Sequence, residues 1–529
     1  MLGKAKINLA QRSLIRIFDS VLNTHARQSP NKFGTALAYP YFCITQTVFM
    51  SDDQLKHRTA KGLIWGGIGN GTMQILNLLF GIFLARLLSP ADYGTIGALT
   101  IFSATAGIFS ESGFTLAIVN KKRITDNDYN AVFWFNVCAS AVLYLILFFL
   151  ATPIAHFYRM PEMIPLSRFL FLGFMFGGLA TTPTAYFFRN LKVKERSQIQ
   201  IAAILISGTA GVICAFYGWG YWGLALQTVL YSGTNALLLW LRCPWRPSLS
   251  FDFTALKSML PFSTKQLLTS LFTHINNNFF SVLLGRFYGM QQTGYFTQGN
   301  KWTTMGYSTL VGMINSVGQP VFRETIDDTE RLRRVFHKML RFTAFVSFPA
   351  MLGLGIISRE LIVITITDKW INAVPVMHIL CVWGAFMPIG VLYGNLFNSL
   401  GRPNIYMWNT ITLGAIQLVS LLVSYRFGLN VMLIAYTTIN ILWLLVWQYF
   451  ARKHIGVTLW SVIKDIAPYA VIAAAIMGIA VMVTASIESP VVSMVIKIAF
   501  AASFYILVLW RLNSVVFNEC INFLLKRKK

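Results

Sequence analysis

Two stretches, NLLFGIFLARLLSPADYG from Asn77 to Gly94 and NNFFSVLLGRFYGMQQTG from Asn277 to Gly294, decide how this chain folds. Asn77/Asn277, Phe80/Phe280, Leu84/Leu284, Arg86/Arg286 and Gly94/Gly294 fall in register at an offset of 200. The match reaches back into the preceding apolar runs. There Asn70, Gln74 and Asn77 align with Ser270, His274 and Asn277, and the i, i+4, i+7 spacing puts each trio on one face of a helix. A weaker echo follows at an offset of 208, where Tyr217 and Gly220 match Tyr425 and Gly428. A repeat this long means two related halves.

The surroundings of the repeat identify the solvent. Of 529 residues, 55% are hydrophobic and 12% charged, with a mean hydropathy of +0.58. Soluble domains carry about 25% charged residues, so this surface is made for lipid. A helix crossing the hydrocarbon core needs about 20 apolar residues. Fourteen such runs lie near 62–86, 95–119, 131–152, 165–187, 198–217, 221–241, 262–284, 295–319, 339–358, 373–397, 405–425, 429–450, 466–485 and 491–511. The expected fold is an all-α polytopic membrane protein of about fourteen transmembrane helices: two pseudo-symmetric six-helix lobes in parallel, then a helix pair. Parallel repeats of this kind build secondary transporters, with the substrate at the repeat interface. The domain division is a lobe over 50–245, a lobe over 246–455, and the last pair with a basic tail over 456–529. Residues 1–49 read as an extension, disordered or preceding a natural start at Met50, without a cleavable signal peptide.

The net charge of +25 superficially suggests nucleic acid. The basic residues instead sit in short clusters between apolar runs. With residue 61 inside and the connections alternating, the inside segments hold 29 Lys and Arg against 7 outside. That asymmetry predicts two cytoplasmic termini. The six cysteines form no CxxC pair, the histidines no HExxH, and there is no GxxxxGK[ST] loop. Neither a metal or other cofactor nor an ATPase engine is expected.

Within this frame FLARLLSPADYG, SESGFTLAIVNKKR, FFRNLKVKERSQI and GYFTQGNKWTTMGYSTLVGMINSVGQPVF resemble the Wzx-type flippases. These form the polysaccharide-transporter branch of the multidrug/oligosaccharidyl-lipid/polysaccharide exporter superfamily. The resemblance runs from about residue 55 to the end. It implies two six-helix lobes in a V around a central cavity. It also implies a non-enzymatic transporter moving a polyprenyl-diphosphate-linked oligosaccharide to the periplasmic leaflet of a bacterial inner membrane. The implied partners are that lipid-linked oligosaccharide, membrane lipids, and a polysaccharide polymerase and chain-length regulator. Two alternatives stay open: a drug–cation antiporter of the same superfamily, and a membrane-embedded polysaccharide polymerase. The first wants convergent carboxylates at membrane depth, where Glu111 stands nearly alone; the second wants a large external loop, and every connection here is short.

A diphosphate cargo needs cationic and polar groups at depth, where a Lys costs about 2.5–3.5 kcal/mol to insert. Lys301, with Gln298 near its face, is the sharpest candidate, a few residues inside the eighth run. Asn70, Gln74, Asn77, His274 and Asn277 are candidate cavity-lining residues, and Lys265 and Arg189 candidate phosphate contacts at the cytoplasmic mouth. Glu111 is a candidate for coupling or for pairing with a base. Arg86 and Arg286 end their helices, where an Arg caps free carbonyls.

Overall fold

The computed structural model describes residues 52–111, 118, 121, 124–248, 257, 271, 274–276 and 278–526. Residues 1–49, with the extension expected there, lie outside them. Among the described residues the elements are helices. Helix α1 (Asp52–Leu87) gives way to α2 (Pro90–Glu111) across a two-residue turn. Ser89 N donates to Asp92 Oδ2 at 2.9 Å and Asp92 N to Ser89 Oγ at 3.2 Å. This reciprocal capping, with Pro90 in the first helical position, explains why SPAD starts a helix. Thr125 and Asp128 repeat the device at the start of α3 (Asp126–Tyr158), which stops at Arg159 in the left-handed conformation. Helices α4 (Met163–Arg189), α5 (Val193–Phe216) and α6 (Tyr221–Arg242) complete the first lobe.

The second lobe contains α7 (Gly289–Glu324), α8 (Thr329–Ile356) and the short α9 (Ser358–Ile366). After a 3-10 turn at Asp368–Ala373 come α10 (Val374–Ser399), α11 (Pro403–Ser424) and α12 (Leu429–Ile455). Helices α13 (Leu459–Thr484) and α14 (Pro490–Arg511) pack on α8, and α15 (Val515–Lys526) ends the described chain. Eleven helices among the described residues are long and apolar enough to cross a membrane. Helices α2 and α7 fall outside that eleven, as does the run at 262–284, most of which lies outside the described residues. Large apolar side chains point outward without protein partners, such as Phe149, Phe216 and Met482 at 72%, 76% and 79% exposure. So much exposed apolar surface fits a lipid-facing belt.

The eighth run begins earlier than its hydropathy predicts. Residues 289–294 (GMQQTG) read as a connection yet form the first turns of α7. Packing explains it: α2 and α7 run side by side, so the polar segment is sheltered by its repeat partner. Gly94 and Gly294, the register-matched pair, face each other's helix. A β-carbon at Gly94 would land on the Met290 carbonyl, and one at Gly294 on the Pro90 carbonyl. Only glycine permits that approach.

Around this contact the lobes hold each other by their helix ends. Arg86 Nε and an Arg86 terminal nitrogen donate to the carbonyls of Thr365 and Ile364 at 2.6 and 2.7 Å, in the last turn of α9. Arg286 donates at 2.5 Å to the Phe157 carbonyl, near the end of α3. Thr365 and Phe157 are themselves 208 positions apart, so the two clamps are repeat-related. Both arginines therefore cap carbonyls, as expected, but those of the opposite lobe. Trp370, fully buried, donates from Nε1 to the Ala85 carbonyl at 2.8 Å and meets Tyr93 edge-on. These contacts gather at the base-poor end, where few Lys and Arg sit; the opposite, basic end carries the charge clusters.

A β-carbon at Gly97 would lie 3.5 Å from Thr297 Cβ, within the span of about 3.5–4.5 Å that a disulfide bridges. In a background without the natural cysteines, Gly97→Cys with Thr297→Cys should therefore form an intramolecular bond between the lobes. A gel-mobility shift reversed by reductant checks it; an unshifted double variant refutes this lobe contact.

Candidate functional site

On α1 the polar face runs Asn70, Gln74, Asn77, Gly81, since eleven residues bring a helix nearly back to the same azimuth. Its upper end abuts the other lobe: a β-carbon at Gly81 would lie 2.5 Å from Lys301 Nζ. The face therefore points toward the second lobe. Asn70, Gln74 and Asn77 are exposed along it, and a side chain at the adjacent Gly71 would meet nothing.

Lys301 sits twelve residues into α7 rather than a few, about 18 Å along the helix. It is half-buried, and among the described residues no carboxylate or hydrogen-bond acceptor reaches its ammonium. Nearby on α7, the Trp302 Nε1 and Gln298 Oε1 atoms are buried with no partner among the described residues. Gln298 is 2% exposed, so it lies within the packing rather than on an open surface. Following the Lys301 azimuth toward the basic end gives Ser308, Gly312 and Asn315, all exposed, with open space at Gly312. Sequence reading missed Ser308 and Asn315, although their seven-residue spacing from Lys301 and Ser308 respectively was available. The structure thus sets two polar faces, of α1 and α7, descending from Lys301, a cation without a partner among the described residues, beneath the lobe contact.

The other candidates separate. His274 is exposed, and its backbone carbonyl accepts from Asn278 at 2.9 Å. Asn277 and Lys265 lie outside the described residues, as does the side chain of Glu111, the last residue of α2. Arg189 is half-buried, and Arg189 Nη1 donates to the carbonyls of Ile118 and Lys121, each at 2.7 Å. That geometry ties the end of α4 to the segment after α2 and leaves the guanidinium engaged by backbone. Among the described residues there is no grouping of three or more His, Cys, Asp or Glu able to hold a metal.

A second buried charge escaped sequence reading. Lys497 Nζ of α14 meets Glu360 Oε1 of α9 at 2.5 Å, both residues under a tenth exposed. The signal was present, because Lys497 interrupts the apolar run 491–511 as Lys301 interrupts 295–319.

Two helical lobes related by a repeat, joined at one end and lined by polar faces below it, define a multi-pass membrane transporter fold. A family profile described as polysaccharide biosynthesis protein matches residues 83–375, and the chain belongs to that family. It is similar to the lipopolysaccharide biosynthesis protein WzxC of Escherichia coli (strain K12), 27% identical over 66% of this chain and 72% of that one. It is also similar to the teichuronic acid biosynthesis protein TuaB of Bacillus subtilis (strain 168), 23% identical over 66% and 73%. Among solved structures, the lipid II flippase MurJ in an inward closed conformation superimposes with a TM-score of 0.70. That match is 14% identical and covers 85% of this chain and 99% of that chain. An inward-facing multidrug resistance MATE transporter of the MOP superfamily gives 0.61 at 16% identity, covering 73% and 94%.

Hydrogen bonds from a charged donor contribute about 1.5–3 kcal/mol each. Arg189→Ala should consequently lower thermal stability in detergent and membrane abundance. Normal abundance with impaired transport would instead mark Arg189 as a cargo contact.

Proposed function

We propose that this protein is a flippase carrying a polyprenyl-diphosphate-linked oligosaccharide from the cytoplasmic to the periplasmic leaflet of a bacterial inner membrane, for cell-surface polysaccharide synthesis. Membership of the polysaccharide biosynthesis family supports the pathway class, and the fold shared with a lipid II flippase supports the mode of action. The protein is a transporter and catalyses no covalent step. The basic end is cytoplasmic by the charge asymmetry, and both termini lie there. The proposed division is a lobe over 50–245, a lobe over 246–455 and a last pair over 456–529.

The observation that carries this reading is Lys301. An ammonium without a partner among the described residues, at membrane depth and at the head of two polar helix faces, is arranged for an anion. At an effective dielectric near 20, a cation 4 Å from one negative charge contributes about 4 kcal/mol before desolvation. The diphosphate would seat at Lys301, sugars would line Asn70, Gln74, Asn77 and Asn315, and the prenyl tail would remain in lipid. The lobes then rock apart at the base-poor end while closing at the other.

Lys301→Ala should abolish export of surface polysaccharide while membrane abundance is kept, since it removes a costly charge. Lys301→Arg should retain partial export, preserving charge with altered reach. Normal export by the alanine variant refutes the site. Orientation has its own check: a C-terminal reporter enzyme active only in the periplasm should stay silent, and activity there overturns the topology.

A further inference from the structure

The buried pair of Glu360 and Lys497 lies outside the cargo site, and one of its atoms is unfinished. Glu360 Oε1 accepts from Lys497 Nζ at 2.5 Å and from Ser493 Oγ at 3.0 Å. Lys497 also donates to the Ile356 carbonyl at 3.1 Å, so the cation is held by α8 and α9 together. Glu360 Oε2 is buried with no partner among the described residues. An ion pair this sheltered is a costly way to join two helices; apolar side chains do it as well or better. Its presence calls for a use of the charge itself.

Its location suggests the use. Glu360 begins the nine-residue helix whose last turn, at Ile364 and Thr365, is gripped by Arg86 of the opposite lobe. The pair therefore holds in place the element that the lobe contact is built on. We propose that Glu360 is a proton-binding site by which the aqueous phase at the base-poor end controls release of that contact. The proton adds to the free Oε2 lone pair, forming an O–H bond and neutralising the carboxylate. Lys497 is then left as a buried cation without a counter-charge, a strongly unfavourable state. Displacement of α9 relieves it by admitting water to the ammonium, and withdraws the carbonyls of Ile364 and Thr365 from Arg86. By linkage, the separated state binds the proton more tightly than the joined one. The other charged or titratable groups near Glu360 are Arg359 on its own helix, His378 on α10, Asp368 and Lys369 on the 3-10 turn, and Arg86 from α1.

The inference rests on the two-state transporter reading above, but its readout is lobe geometry without cargo. Failure of the oligosaccharide assignment therefore leaves it standing. Spin labels at the exposed Leu87 and Phe287, in reconstituted full-length protein, report the lobe separation at the base-poor end. Because, against the opposing effect of burial, Lys497 and Ser493 hold the Glu360 carboxyl below the usual carboxylate range in the joined state, the parent should show mainly the short distance at about pH 7 and a several-fold larger long-distance population at about pH 4. Glu360→Gln, a neutral mimic, should show the long-distance population at both values. Lys497→Met should stay short at both, because a neutral Glu360 then strands no cation. The double variant should also stay short, which separates the mechanism from simple misfolding. A Glu360→Gln protein with the parent's pH response overturns the proposal, as does a double variant that behaves like Glu360→Gln. A distance shift produced by exchanging sodium for potassium at fixed pH overturns the assignment to a proton.

Discussion

The structure hangs on the approach of two backbones, α2 at Gly94 and α7 at Gly294, with no side chain between them. Removing Cβ at both positions lets carbonyl groups of one lobe touch the helix of the other. It also brings Gly97 against Thr297 and Gly81 against Lys301. The arginine clamps and Trp370 are possible only at that separation. Dispersion contacts are individually small and fall away steeply with distance, so a bulkier residue at either glycine would weaken the whole group together. A contact of this kind behaves as a unit: it is joined or it is not.

Its chemistry is suited to reversal. The clamps are hydrogen bonds from guanidinium groups to terminal helix carbonyls, groups with no intrahelical partner that water can also satisfy. Arg86 is exposed, so breaking its bonds exchanges protein acceptors for solvent rather than stranding a buried charge. Trp370 and Tyr93 provide the apolar part, buried when the lobes meet. The opposite end of the second lobe is held differently. Tyr393 there donates to Gln448 at 2.7 Å, and Gln448 to the Val457 carbonyl at 2.8 Å, inside the packed second lobe. Rigid lobes with a reversible junction follow from this division.

Much of this was readable in the chain, and the reasons are physical. Membrane helices announce themselves by composition, because lipid leaves no other way to satisfy the backbone, and the 200-residue register exposed the two-fold relation. The shared helix face of Asn70, Gln74 and Asn77 was legible because a helix period is fixed. The start of α7 was not found, because GMQQTG is sheltered by a neighbour 200 residues away and hydropathy has no knowledge of it. For the same reason Arg86 and Arg286 could be seen as capping residues but not whose carbonyls they cap. Glu360 lies between two predicted runs, and its partner comes from α14, 137 residues away, which no local pattern reveals.

The repeat also sharpens where function resides, through the positions at which it fails. A pseudo-two-fold frame would give both lobes the same lining, yet the partner of Lys301 is Ile101 and the partner of Gly81 is Ser281. The cation and the gap that receives it are therefore each present once. A symmetric pair of lysines would face one another across the axis, and like charges at that range repel. One lysine against one glycine avoids that cost and leaves the ammonium without an acceptor among the described residues. The same asymmetry holds at the edge, where α13 and α14 flank the second lobe and supply Lys497 to Glu360. Shared backbone relates the two lobes, and the broken symmetry places Lys301 and the buried ion pair in the second half.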